Sequence, residues 1–142
     1  MRQDTQPKEV GILREPMLWL GAAEGLVVAQ PELPLALLDP PCGFRSAAIA
    51  ALDAAQMPYR IAATSGSLSG LRAAISAGIA ITVRTARWAT SEIADVSSEM
   101  SLPTLPAAVF SIRLRHDADT VATDLADLLS DTLDAVAPDM AA

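Results

Sequence analysis

The sequence predicts an α/β fold, and three observations carry that prediction. Between residues 35 and 83, short apolar runs alternate with segments of helical period in the order strand, helix, strand, helix, strand. With 142 residues, 51% of them hydrophobic, the chain matches one packed domain. The apolar runs are continuous, as in strands covered on both faces, so a mostly parallel sheet with right-handed crossovers and flanking helices is expected.

Residues 10–13 and 17–22 are apolar runs separated by Arg14-Glu15-Pro16, which predicts strand, break and strand, with Trp19 buried. Two prolines make 30–34 a loop, and 35–38 is the next strand, stopped by Asp39-Pro40-Pro41-Cys42-Gly43. From 44 to 57 the period changes: Ala48, Ile49, Leu52 and Ala55 recur three or four apart in an alanine-rich helix that Pro58 ends. A strand over 59–63 follows, and Thr64-Ser65-Gly66-Ser67 offers N-caps to a second helix whose stripe is Leu68, Leu71, Ala74 and Ile75. Gly78 stands where a left-handed C-terminal cap is wanted, and β-branched residues make 79–83 the third strand. Residues 86–105 read as a connector with a helical turn at 91–96, and 107–114 as a strand. Residues 119–136 form an amphipathic helix, with Val121, Leu125, Leu128, Leu129 and Thr132 on one stripe and acids opposite.

Composition excludes several functions. The net charge of −7 argues against direct contact with nucleic acid, whose phosphates demand basic patches. No apolar run is long enough for a membrane helix, and the first nine residues do not form a secretory signal, so no membrane association is expected and the cytoplasm is the expected location. One cysteine allows neither a disulfide framework nor a cysteine-based zinc site. Charge is uneven along the chain: residues 1–33 carry −2, 34–90 carry +3 and 91–142 carry −8. The basic middle segment is where an anionic small ligand would be drawn.

In open α/β sheets ligands bind beyond the carboxyl ends of strands, where helix N-termini offer unpaired N–H groups and the positive end of the helix dipole. Two loops meet that description: Asp39-Pro40-Pro41-Cys42-Gly43-Phe44-Arg45 and Thr64-Ser65-Gly66-Ser67-Leu68-Ser69. Together they would cradle a carboxylate; the plainer alternative is that their Ser, Thr, Gly and Pro residues only cap helices and turn the chain. Cys42 is either a thiol activated by the helix start or an inert small hydrophobe. His116 stands alone beside Asp117, no Ser-His-Asp or paired-carboxylate spacing surrounds it, and an enzyme is not expected. The acids of the last helix are a solvated face, and no metal is expected. Neither Gly43 nor Gly66 has the partner glycines or lysine of a phosphate loop, so no nucleotide cofactor is expected, nor any other.

The runs Leu13-Arg-Glu-Pro-Met-Leu-Trp-Leu-Gly-Ala22, Leu33-Pro-Leu-Ala-Leu-Leu-Asp-Pro-Pro-Cys-Gly-Phe-Arg45 and Thr64-Ser-Gly-Ser-Leu-Ser-Gly-Leu-Arg-Ala-Ala-Ile-Ser-Ala-Gly-Ile-Ala-Ile-Thr-Val83 resemble the effector-binding domain of LysR-type transcriptional regulators in order and spacing. The resemblance implies a periplasmic-binding-protein type II-like lobe with a mostly parallel sheet flanked by helices, and an incomplete second lobe. Residues 1–16 would be a tail and crossing segment, 17–105 lobe two, and 106–142 a returning strand and C-terminal helix of lobe one. The family's helix-turn-helix region and most of lobe one would be missing, so DNA would be met only through that absent region. The stripe of Val121, Leu125 and Leu128 would then lack its usual cover, and the helix would fold back or pair with another copy.

The same resemblance carries effector contacts onto Pro41, Cys42, Gly43 and Phe44, and onto Thr64, Ser65 and Gly66, with Ser67 beside them. The family's usual Gly-x-Gly-(Ile/Val)-x-x-Leu-Pro is Gly78-Ile-Ala-Ile-Thr-Val-Arg-Thr85 here. Arg84, where an apolar residue is usual, either adds positive charge to the cleft or points to solvent. The function expected is sensing of an anionic, carboxylate-bearing metabolite by a homodimer. The alternatives are a truncated dimerisation module modulating a full-length relative, through a surface such as 45–56, or thiol redox sensing through Cys42.

Overall fold

The computed structural model describes residues 6–26 and 31–136. The chain divides into two compact units, Met1–Glu15 with Ala108–Ala142, and Pro16–Ala107. Strand β1 (Lys8–Ala22) contributes to both. Thus 10–13 and 17–22 form one strand, not two separated by a break. Pro16 lacks an N–H, but the ladder of β1 with its next partner starts one residue later, at Met17, so no bond of that ladder is lost.

The Pro16–Ala107 unit is built from β2 (Leu33–Leu38), α1 (Gly43–Ala54), β3 (Tyr59–Ser65), α2 (Leu68–Ser76), β4 (Thr82–Thr85), a 3-10 turn at Ala86–Trp88, and β5 (Ile93–Asp95). β2 and β3 are parallel, whereas β1 runs antiparallel to both β4 and β5. The two ladders are joined where Ile81 bonds β2 in parallel fashion: Ile81 N–H donates to Pro34 O and Ala36 N–H to Ile81 O, both at 2.9 Å. The sheet is therefore mixed. The parallel part is the strand–helix–strand run, and the antiparallel part comes from β1, which crosses into it from the N-terminal side.

Both faces are covered. Trp19, Leu35, Leu37, Leu52, Ile81 and Val83 form one apolar cluster, with Ala48 and Leu52 of α1 on it. Leu20, Ala36, Leu71, Ile75 and Ile93 form another, with Leu71 and Ile75 of α2 on it. Neighbouring residues of β1 and β2 point to opposite clusters, which is why these strands are apolar without a break. Each of the largest side chains, buried in full, stabilises the unit by about 1.5–3 kcal/mol.

Helix α1 stops at Ala54, short of Pro58, because Gln56 takes φ +54° and Met57 N–H turns back to Leu52 O. Gly78 has φ +70°, the left-handed cap expected of it. The ladder of β4 starts at Thr82, and Ile79, placed in a strand by its β-branching, is exposed. Residues 93–95, within the expected helical turn, are instead strand β5: Ile93 is fully buried opposite Ala22, and that tertiary pairing overrides local preference.

In the other unit β6 (Ala107–Leu114) pairs with β1, and α3 (Thr120–Val136) turns its small residues to the strands. Ala126 is buried, and Ser130 Oγ donates to Val10 O at 3.0 Å. A side chain at Gly11 would collide with Ser130 Oγ, 2.9 Å from where its Cβ would stand. The leucine stripe faces the other way, and Val121, Leu125, Leu128 and Leu129 are exposed. No described helix is long and apolar enough to cross a membrane.

Candidate ligand site at two helix N-termini

Because β2 and β3 are parallel, both run into their helices at the same edge of the sheet. Leu38 and Ser65, the last residues of the two strands, are in register, and Asp39 N–H donates to Ser65 O at 3.0 Å. The loops that lead into α1 and α2 are thereby tied together. The first holds Pro41, Cys42 and Gly43, with a cis Pro40–Pro41 peptide, and borders a concavity of about 700 Å³ that runs along the side of α1 from Pro41, Cys42 and Arg45 to Ile49 and Asp53. The second holds Gly66 and Ser67, following Thr64 and Ser65 at the end of β3.

The two helix starts differ in how their free N–H groups are used. Ser67 caps α2: its Oγ accepts from Gly70 N–H at 3.1 Å. Ser65 Oγ accepts from Ser67 N–H at 3.1 Å and donates to Ser67 O at 2.9 Å, which fixes the approach to the helix. A side chain at Gly66 would lie 3.2 Å from Asp39 Oδ2, so a carboxylate borders this loop. Helix α1 has none of this. Its N-cap residue, Cys42, has extended backbone (φ −149°) and makes no side-chain cap bond, and the first turn contains no acid. Neither a side-chain cap nor an acid of its own first turn meets the positive end of its dipole.

Arg84, on β4, is 91% buried, since its relative exposure is 9%. Its guanidinium carbon lies 4.6 Å from the centre of the Phe44 ring, at the second residue of α1, and 5.8 Å from that of Trp88. The other cation on Trp88 is Arg72, 4.3 Å from the ring centre, whose Nη1 also donates to Trp88 O at 3.3 Å. Arg84 Nε is closed to water and has no hydrogen-bond partner. Burial pushes the Arg84 guanidinium below the usual arginine value, and the negative charge available to nearby Cys42 acts in the opposite direction.

The predicted site residues Pro41, Cys42, Gly43 and Phe44 thus meet Thr64, Ser65, Gly66 and Ser67 at one edge, and Arg84 reaches the first loop through Phe44. Of the two positions open to Arg84, it takes the buried one. Cys42 and Phe44 are half-buried, whereas Pro41, Gly43, Thr64, Gly66 and Ser67 are exposed. His116 is exposed, 4.0 Å from Asp117. Among the described residues no group of three or more His, Cys, Asp or Glu is placed to hold a metal ion. One contributor escaped the sequence: Trp88, placed in the connector although it follows Arg84 by four residues; Asp39 was quoted in the first loop but given no part of its own.

The LysR substrate binding domain family matches residues 11–134. The HTH-type transcriptional regulator PecT of Dickeya dadantii (strain 3937) is 33% identical over 109 residues, covering 77% of this chain and 34% of PecT. The HTH-type transcriptional regulator DgdR of Burkholderia cepacia is 39% identical over 103 residues, covering 72% of this chain and 35% of DgdR. This chain spans about a third of the length of these curated relatives. In fold it is similar to the CcmR regulatory domain of Synechocystis PCC6803, solved in complex with 2-PG. That likeness has a TM-score of 0.66 at 15% identity and covers 97% of this chain and 72% of that one.

Proposed function

The chain belongs to the LysR substrate binding domain family, whose members are transcriptional regulators and not enzymes, and on that footing we propose that it is the effector-sensing part of such a regulator. It binds a small anionic metabolite, a carboxylate, between the loops at Pro41, Cys42, Gly43 and Phe44 and at Thr64, Ser65, Gly66 and Ser67, with Arg84 supplying positive charge. The observation that carries this is the Asp39–Ser65 bond, which holds two helix N-termini at one sheet edge. Residues 17–105 act as the lobe that holds these loops; 1–16 and 106–142 are the crossing segments and the C-terminal helix of the other lobe. DNA is met by the helix-turn-helix region of the regulator, in the cytoplasm, and not by this chain.

No bond is made or broken. A ligand that favours one arrangement of the regulator over another shifts their populations by its differential affinity, and transcription follows that shift. The chain acts as a homodimer, a reading supported by the exposed stripe of α3. Titration calorimetry of the chain against a panel of organic acids and their neutral analogues tests the ligand. Saturable heat with at least one acid is the expected result, and no heat across the panel would overturn it. Light scattering tests the dimer, and a mass of one 14.8 kDa chain would refute it.

A further inference from the structure

The end of β1 and the start of β4 border a recess away from the two ligand loops. Gly21 and Ala22, the last residues of β1, follow Leu20, which is in register with Thr82 at the start of β4. Ile81, just before β4, pairs with β2 in parallel fashion, so the recess lies toward the edge where the parallel strands begin, whereas the loops at Pro41 and Gly66 stand where they end. It holds about 320 Å³, the size of a small-molecule cavity. Its floor is core, since Ile81 and Val96 are buried members of the cluster that contains Leu52, and half-buried Leu26 and Met100 complete the apolar lining. Two glycines shape it. A side chain at Gly21 would stand 3.1 Å from Ile81 Cγ2 and 3.2 Å from Val96 Cγ1, so the bare backbone lets both close the floor. At Gly25, with φ +88°, nothing lies within 4 Å of where a Cβ would be, and the wall stays open.

The charged residue on the lining is Glu99, which is exposed and, among the described residues, makes no ion pair. A neighbouring recess shares Ala22 and is lined by Glu24, Glu92 and Ser76, the last residue of α2. A helix C-terminus is the negative end of the dipole, and the last turn of α2 has no base to offset it. No base lines either recess. Burial on the apolar floor supplies binding, and the negative field sets the sign of the ligand. We propose that the recess at Gly21, Ile81 and Val96 is a further small-molecule site, which takes a short primary alkylammonium with its chain on Ile81, Val96 and Met100 and its nitrogen beside Glu99. Such an amine, like a lysine side chain, is protonated at pH 7. Its methylenes leave water for the floor while the ammonium stays at the exposed rim, so neither it nor the Glu99 carboxylate has to be desolvated. An exposed pair of this kind contributes about two- to fivefold in affinity, which favours the amine over its isosteric alcohol and disfavours the corresponding carboxylate. The site is independent of effector binding at the two loops, because it shares no residue with them and prefers the opposite charge.

The test uses the intact chain with carbon-13 methionine methyl groups, and n-butylammonium, n-butanol and butyrate as probes at constant ionic strength. Met100 lines the recess, whereas Met17 and Met57 pack on the same apolar cluster without lining it, so their methyl resonances are internal controls. Butylammonium is expected to move the Met100 methyl resonance saturably and to leave those of Met17 and Met57, and the amides of Gly43 and Gly66, in place. Butanol is expected to act on the same methyl about two- to fivefold more weakly, and butyrate more weakly still. Glu99→Gln, a change at an exposed side chain, is expected to remove most of the preference for the amine. A Met100 resonance that butylammonium leaves unmoved, or that moves together with those of Met17 and Met57, overturns the proposal. Equal binding of amine and alcohol by the wild type overturns it too, as does an amine preference unchanged in Glu99→Gln. The wild-type comparison of amine and alcohol decides the matter even if the variant misfolds, and binding of organic acids at the Pro41 and Gly66 loops, present or absent, bears on the effector function alone.

Discussion

Removing the cap of α2 isolates one hydrogen bond. Ser67 Oγ accepts from Gly70 N–H at 3.1 Å, while Leu71 N–H bonds to the backbone carbonyl of Ser67 at the same distance. Ser67→Ala deletes the first bond and keeps the second. Loss of an N-cap costs about 1 kcal/mol, and replacement by glycine only a few tenths, because glycine leaves the free N–H open to water. Helix α2 itself stays in place, since Leu71 and Ile75 are fully buried against the sheet, so the effect is confined to its first turn. Native-state hydrogen exchange resolved by residue is the assay. In Ser67→Ala the Gly70 amide is expected to exchange about fivefold faster, the equivalent of about 1 kcal/mol, with Leu71 much less affected and Ser67→Gly between the two. Unchanged exchange at Gly70, or equal effects of Ala and Gly, would refute the assignment of Ser67 as the cap.

Leu52→Ala, in the cluster under α1, is expected to destabilise the protein by about 2–5 kcal/mol in urea unfolding monitored by tryptophan emission, whereas Leu128→Ala on the exposed stripe of α3 changes it by about 0.5 kcal/mol or less. Gly78→Ala places a side chain at φ +70° and is expected to lower stability by about 1 kcal/mol, with Gly78→Asn less harmful, by the same measurement. Tyr59 is the chain's one tyrosine, so its ionisation is read directly by ultraviolet absorption. Burial, the Asp53 charge and a hydrogen bond to Asp53 all push it above the ordinary value of 10.0. A raised tyrosine value means the folded state holds its proton longer. The stability it contributes is therefore complete below about 10 and is lost as pH rises through the folded value. Asp53→Asn is expected to move the absorbance midpoint down, toward 10.0.

The strand–helix alternation from 35 to 83 was legible because α1 and α2 cover opposite faces of the sheet, which forces the run Leu35-Ala36-Leu37 to be apolar throughout. Strand β5 was not. Three residues carry no period, and Ile93 is held in a strand only by its pairing with Ala22, far away in sequence. Pro16 misled for a related reason: a missing N–H breaks a strand only where a bond was needed, and sequence does not show which ladder a residue joins. At the site the helix starts were visible from their Ser, Thr, Gly and Pro residues. Which of them was capped was not, since Cys42 and Ser67 differ by the partner each side chain finds. The part played by Trp88 depends on a single 3-10 turn that returns its ring toward Arg84.

Formal charge locates a segment, and hydrogen bonding then locates a residue within it. Residues 34–90 contain five arginines and two acids. Arg45 is taken up by Leu38 O, Arg72 by Trp88 O and the Trp88 ring, and Arg60 and Arg87 also have partners. Arg84 is the buried one of the five, with the rings of Phe44 and Trp88 against its guanidinium, so its field is the least screened by water. Of the arginines behind the excess of +3, one is therefore held inside the fold beside the start of α1, and the other four carry their charge nearer the surface.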